Sequence, residues 1–244
     1  MGQSWSRLQQ RRNASALRDL APQRTPGHEN PLPQLNRDTL LAALNNVASY
    51  IAQQEQNVTV IAVGGAVNTI YLQSRTATHD VDFFNNYLTV RDFECLIKGA
   101  KAAARKDPLL QEEWFNNRTI LFIPIDQRAT LTQQAFDQRE VIFSAPGLTV
   151  LAAPWQYAFC CKVDRLAGGG INSARSYDLE DAVVYLSRYF MTHRVGNVER
   201  ATVQSWFVQY SLRWTAANDT VIARVNAAYQ ARFQVTHQAI VSGV

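Results

Sequence analysis

The segment between Val58 and Asp82 constrains the fold more than any other part of the chain. Val58–Val63 is a run of apolar and β-branched residues, the composition of a buried strand. Gly64-Gly65 interrupts it, and Val67, Ile70 and Tyr71 then recur at helical spacing, which predicts a short helix ending near Ser74. Val81, Phe83 and Phe84 alternate with Asp80 and Asp82 as a second strand would. Strand, glycine turn, helix and strand therefore follow one another closely, an arrangement that requires the chain to return to the same sheet.

The flanking pattern extends this unit. Leu40, Leu44, Val47 and Ile51 mark an amphipathic helix over 38–54, and Thr89 with Asp92 three residues later caps a helix running toward Lys106. The apolar run over 119–125 reads as a third strand, followed by a strand pair over 141–152. Beyond Pro154 the pattern is nearly all helical, with helices expected over 155–166, 177–190, 198–213 and 219–234 and a break at Gly168-Gly169-Gly170. The expected fold class is α/β (α+β). A small mixed sheet with helices occupies 37–152, a helical lobe over 153–244 covers one side of it, and residues 1–36 form an extended basic arm.

Composition excludes several classes. Hydrophobic residues make up 47% of the 244, enough for a core, yet no apolar run approaches the roughly 18 residues of a membrane span. Cys95, Cys160 and Cys161 lack ligand spacing, and His79, His193 and His237 have no ligand partners, so no zinc site is expected and a reduced intracellular setting fits. The net charge of +4 comes from the arm, where Arg7, Arg11, Arg12, Arg18, Arg24 and Arg37 face only Asp19 and Glu29. Gly2 and Ser6 match the N-myristoylation pattern, which would add membrane association. The same Arg- and Ser-rich start also fits an organelle transit peptide or a plain solvated tail.

Three groups of residues point to chemistry. Asp80 and Asp82, at i and i+2 of a strand, share one face with Cα atoms roughly 6 to 7 Å apart, a spacing suited to divalent cations. Gly64-Gly65, at the start of a helix, leaves room for a phosphate to approach backbone N–H groups, although a tight turn alone also uses glycine. Lys162 stands among the apolar Ala158, Phe159, Cys160 and Cys161, so its ammonium needs a phosphate or an acid such as Asp164, Asp178 or Asp181.

Taken together, Gly64-Gly65-Ala66, Leu72, Arg75, Thr78 and Asp80-Val81-Asp82-Phe83 resemble the nucleotidyltransferase superfamily, in particular the minimal type that includes AbiEii-like toxins. Lys162, Arg165 and the block Tyr177-Asp178-Leu179-Glu180-Asp181 follow in the order of that family's second conserved region. The resemblance covers about residues 60–186. It implies Mg²⁺ or Mn²⁺ held by Asp80, Asp82 and a third carboxylate, with Asp126 at the end of the 119–125 strand as the candidate and Glu140 behind it. It further implies that Gly64, Gly65, Arg75, Thr78 and Lys162 hold an NTP, and that a nucleoside monophosphate passes to a hydroxyl of a small molecule, a protein or an RNA end. A degenerate member that binds nucleotide or a protein partner without turnover is the alternative.

Overall fold

The computed structural model describes residues 33–111, 113–169 and 173–242. The arm through residue 32, with Gly2, Ser6 and five of its arginines, lies outside the described residues, as does Gly170. The architecture is mixed α/β, as the sequence pattern predicts.

In chain order, β1 (Leu35–Asn36) leads into α1 (Arg37–Gln53), and β2 (Val58–Val63) leads into the short α2 (Gly65–Ile70). Then come β3 (Ala77–Thr78), β4 (Val81–Phe84), α3 (Val90–Lys106) and β5 (Phe115–Asn116). Two 3₁₀ turns, Arg118–Phe122 and Ile125–Gln127, precede α4 (Arg128–Gln138) and the hairpin β6 (Val141–Ala145) and β7 (Leu148–Ala152). The rest is largely helical: α5 (Trp155–Leu166), α6 (Asp178–His193), β8 (Val198–Glu199), α7 (Arg200–Gln209), α8 (Ala216–Phe233) and β9 (Ile240–Val241).

Helix ends follow local chemistry. The Asn36 side chain accepts from the Thr39 amide at the start of α1, and Thr89 with Asp92 forms a reciprocal capping box on α3. Both helices bury apolar stripes, Leu40, Leu44, Val47 and Ile51 on α1 and Leu96, Ala100 and Ala103 on α3, and they pack against each other.

The principal sheet has the order β5-β4-β2-β7-β6 and mixes parallel and antiparallel pairs. Its registers decide where chemistry can occur. Because β2 and β4 are antiparallel with Val63 opposite Asp82, the end of β2, followed by Gly64, lies beside the start of β4, with Asp80 just before the strand and Asp82 within it. β7 runs parallel to β2, so it ends at that same sheet edge, and α5 begins there after Pro154. Topology thus delivers α5, with Lys162 one turn after Ala158, to the edge that holds the glycine turn.

Two sequence expectations are corrected here. The 119–125 run is not a strand. It forms 3₁₀ turns with Leu121, Phe122 and Ile125 exposed at 72%, 61% and 80%, and the neighbour of β4 is instead the two-residue β5. Pro124, which lacks an N–H to donate to a ladder, separates the two turns. The boundary of the arm also moves: Leu35 and Asn36 pair with Thr78 and Ala77 and belong to the body.

Candidate active site

Gly64 turns the chain from β2 into α2 with φ +65° and ψ −130°, a conformation open to glycine at little steric cost. At Gly65 the restriction is space rather than backbone: a Cβ would fall against the Thr78 side chain, 2.8 Å from its Cβ. The two glycines therefore answer to different constraints, and both keep the turn close to the strand that follows. Gly65→Ala is expected to displace Thr78 and the neighbouring Asp80 loop, lowering the thermal midpoint and any ligand affinity at this site. Gly64→Ala is expected to cost about 1 kcal/mol or more through φ alone. Thermal melts of the two variants check both.

A cavity of about 890 Å³ opens at this edge of the sheet. Gly64, Gly65, Arg75, Thr78, Asp80, Asp82 and Lys162 all line it. Residues nearly a hundred positions apart in sequence thus meet in one space. Phe122, Ile123, Tyr157 and Tyr210 also line it.

Asp126 does not belong to this constellation. It sits in the second 3₁₀ turn outside the cavity lining, a consequence of the missing third strand. Glu140 is elsewhere too, held by Tyr71 at 2.6 Å and by Arg188 at 3.1 Å. The position next to Asp82 on the adjacent strand is Asn116, in register with it and fully buried. Among the described residues, no group of three His, Cys, Asp or Glu side chains could hold a metal.

The strand begins one residue later than the sequence pattern predicts, so Asp82 lies on β4 while Asp80 immediately precedes it, and the two carboxylates are in an electrostatically uneasy position. Burial, and then the neighbouring Asp80, push the Asp82 carboxyl up to about 7, against the opposing pull of Asn116, Arg118 and Arg175. A pair in which one member resists ionisation is a donor set that a hard cation would stabilise, and Mg²⁺ or Mn²⁺ fits its oxygen chemistry. Any such ion would be held by Asp80 and Asp82.

Lys162 faces the cavity, yet it is anchored below it. Its ammonium lies 2.7 Å from Asp178 and 2.7 Å from Asp181, both buried on α6. Burial alone would raise the Asp178 carboxyl, but Lys162, the Arg175 amide and Arg165 outweigh it and hold that carboxyl below its ordinary value. Asp181 also receives Nε of Arg75 at 3.0 Å and the amide of Asn68, whose oxygen in turn accepts from Tyr185. The Tyr185 hydroxyl is also 3.3 Å from the Gly64 carbonyl. The glycine turn, Arg75 and Lys162 are therefore fixed to one helix through Asp181, which makes Asp178 and Asp181 the structural base of the site.

Three further side chains contribute, to which the sequence pattern assigns no role at the site. Arg75 lies 3.5 Å over the Tyr177 ring, so Tyr177 is a platform that orients it. Arg175 donates to the Tyr177 hydroxyl at 2.7 Å and is close enough to Asp80 and Asp82 to affect both. Arg118 donates to the Asn116 oxygen at 3.2 Å and pulls the Asp82 carboxyl down. Tyr177 lay within the recognised block, whereas nothing in local pattern distinguishes Arg118 or Arg175 from solvated arginines.

A family model described as a domain of unknown function (DUF7582) matches residues 34–236. The chain belongs to this family. No curated protein and no solved structure matches it. The DUF7582 match begins at Gln34, just before β1, and spans the sheet and the helical lobe together, so the cavity between them lies within one family domain. No described helix is long and apolar enough to cross a membrane.

Proposed function

We propose that the cavity of this DUF7582 domain binds a nucleoside triphosphate with a divalent cation and transfers the nucleoside monophosphate to a hydroxyl, as the resemblance to nucleotidyltransferases implies. The observation that carries the reading is the convergence in one cavity of a glycine turn, two carboxylates at the start of one strand and cations from three separate segments. In this reading the Gly64-Gly65 turn receives the triphosphate, and Arg75, Lys162 and Arg175 offset its charge. A bound Mg²⁺ supplies Lewis acidity at the phosphates. Asp80 and Asp82 orient that ion. The acceptor oxygen bonds to the α-phosphorus, the bond from α-phosphorus to the bridging oxygen breaks, and pyrophosphate leaves. The acceptor proton passes to water.

A second reading, nucleotide binding without turnover, is favoured by Asn116 standing opposite Asp82 where a further carboxylate would complete a two-ion site. Calorimetric titration of the full chain with each NTP, with and without Mg²⁺, tests the shared part of both. Saturable binding that depends on Mg²⁺ is the expected result, and no heat with any NTP would refute it. Pyrophosphate release then separates transfer from binding alone.

A further inference from the structure

Asn116 sets how many cations this site accepts. Resting on the nucleotide-binding reading above, we propose that the cavity holds one divalent cation rather than two, and that Asn116 is the residue that excludes the second.

The argument begins with register. β4 and β5 are parallel, and Asp82 is paired with Asn116, whose side chain acts on the Asp82 carboxyl through a hydrogen bond. Asn116 is fully buried and fully engaged. Its amide donates to the Glu113 carbonyl at 3.2 Å, and its oxygen accepts from the Arg118 backbone at 3.0 Å and from Arg118 Nε at 3.2 Å. That oxygen is therefore committed to Arg118 and is not offered to a second ion.

Ligand count and charge point the same way. Two Mg²⁺ ions about 3.5 to 4 Å apart need carboxylates that bridge them and oxygens that complete each shell. Here the start of β4 supplies Asp80 and Asp82 alone, and no trio of metal-ligating side chains exists among the described residues. One Mg²⁺ can be bound by two carboxylates and substrate phosphates. Arg118 and Arg175 already act on Asp82, so positive charge that a second ion would bring is in part provided by guanidinium groups. Asp126, the acid that sequence places next, lies outside the cavity lining.

The test counts Mn²⁺ bound to the full chain in the presence of a non-hydrolysable NTP analogue, with electron paramagnetic resonance as the readout. One Mn²⁺ per chain with the signal of an isolated ion is expected, because two ions this close would give a spin-coupled signal. Asn116→Asp is expected to raise the count to two with coupling, while Asn116→Ser keeps it at one. Two coupled ions in the wild-type chain would overturn the inference while leaving nucleotide binding intact. Nucleotide binding without any Mn²⁺ would overturn it as well. Absence of nucleotide binding would overturn the reading beneath it, and the inference with it. The wild-type count decides the matter even if the Asn116 variants fold poorly.

Discussion

Asp82→Asn is expected to abolish cation-dependent nucleotide binding and, in the same molecule, to raise the stability of the ligand-free protein above neutral pH. The sign follows from the Asp82 carboxyl, which moves from 3.8 in the open chain to about 7 in the fold. Below about pH 3 both states hold most of the proton and the substitution changes little. Between pH 4 and 7 the unfolded chain releases a proton that the folded state retains, so the native state loses stability as pH rises. Above 7 the full cost is present, roughly 4 kcal/mol as an upper bound at about 1.36 kcal/mol per pH unit. Thermal melts should therefore show Asp82→Asn higher than wild type by on the order of 10 °C at pH 8, with the gap closing toward pH 4. An equal effect at both pH values would mean that the carboxylate is not strained by burial.

The second large effect concerns the base of the site. Lys162→Met removes the cation between Asp178 and Asp181, leaving two buried carboxylates to share Arg75 and Arg165. Removing one partner of a buried ionic cluster costs about 3 to 5 kcal/mol, because the remaining charge stays out of water. Urea denaturation is the direct check. A further sign distinguishes this from lost packing. Asp178 is held below its ordinary value, so its contribution is present above about pH 4 and is lost as pH falls through its folded value. The variant should therefore lose most stability at neutral pH, and progressively less as the pH falls below about 4. A uniform loss at all pH values would assign the effect to the methylene stem instead.

Local pattern conveyed the parts of the fold that depend on nearby residues. The run Val58–Val63, the glycine turn and the alternation around Asp80 and Asp82 lie close in sequence, and an antiparallel return places them together almost unavoidably. Where the outcome depends on distant partners, the pattern misled. The 119–125 run has strand composition, but Leu121, Phe122 and Ile125 are exposed and Pro124 cannot join a ladder. β5, only two residues long, offers too little alternation to be recognised, so the neighbour of Asp82 was read as Asp126 rather than Asn116. Lys162 was singled out because a cation among apolar residues needs a partner, which is a statement about free energy. The identity of that partner depended on how α5 and α6 pack, and both Asp178 and Asp181 supply it.

The account as a whole stands on one spatial claim, that metal and triphosphate meet at the edge of the sheet where β2 ends and β4 begins. Crystals of the full chain grown with Mn²⁺ and a non-hydrolysable NTP analogue, measured at the manganese absorption edge, test it directly. The account predicts an anomalous peak between the Asp80 and Asp82 carboxylates, with the triphosphate on the Gly64-Gly65 amides and within reach of Arg75 and Lys162. Nucleotide bound elsewhere, or manganese away from Asp80 and Asp82, would contradict it.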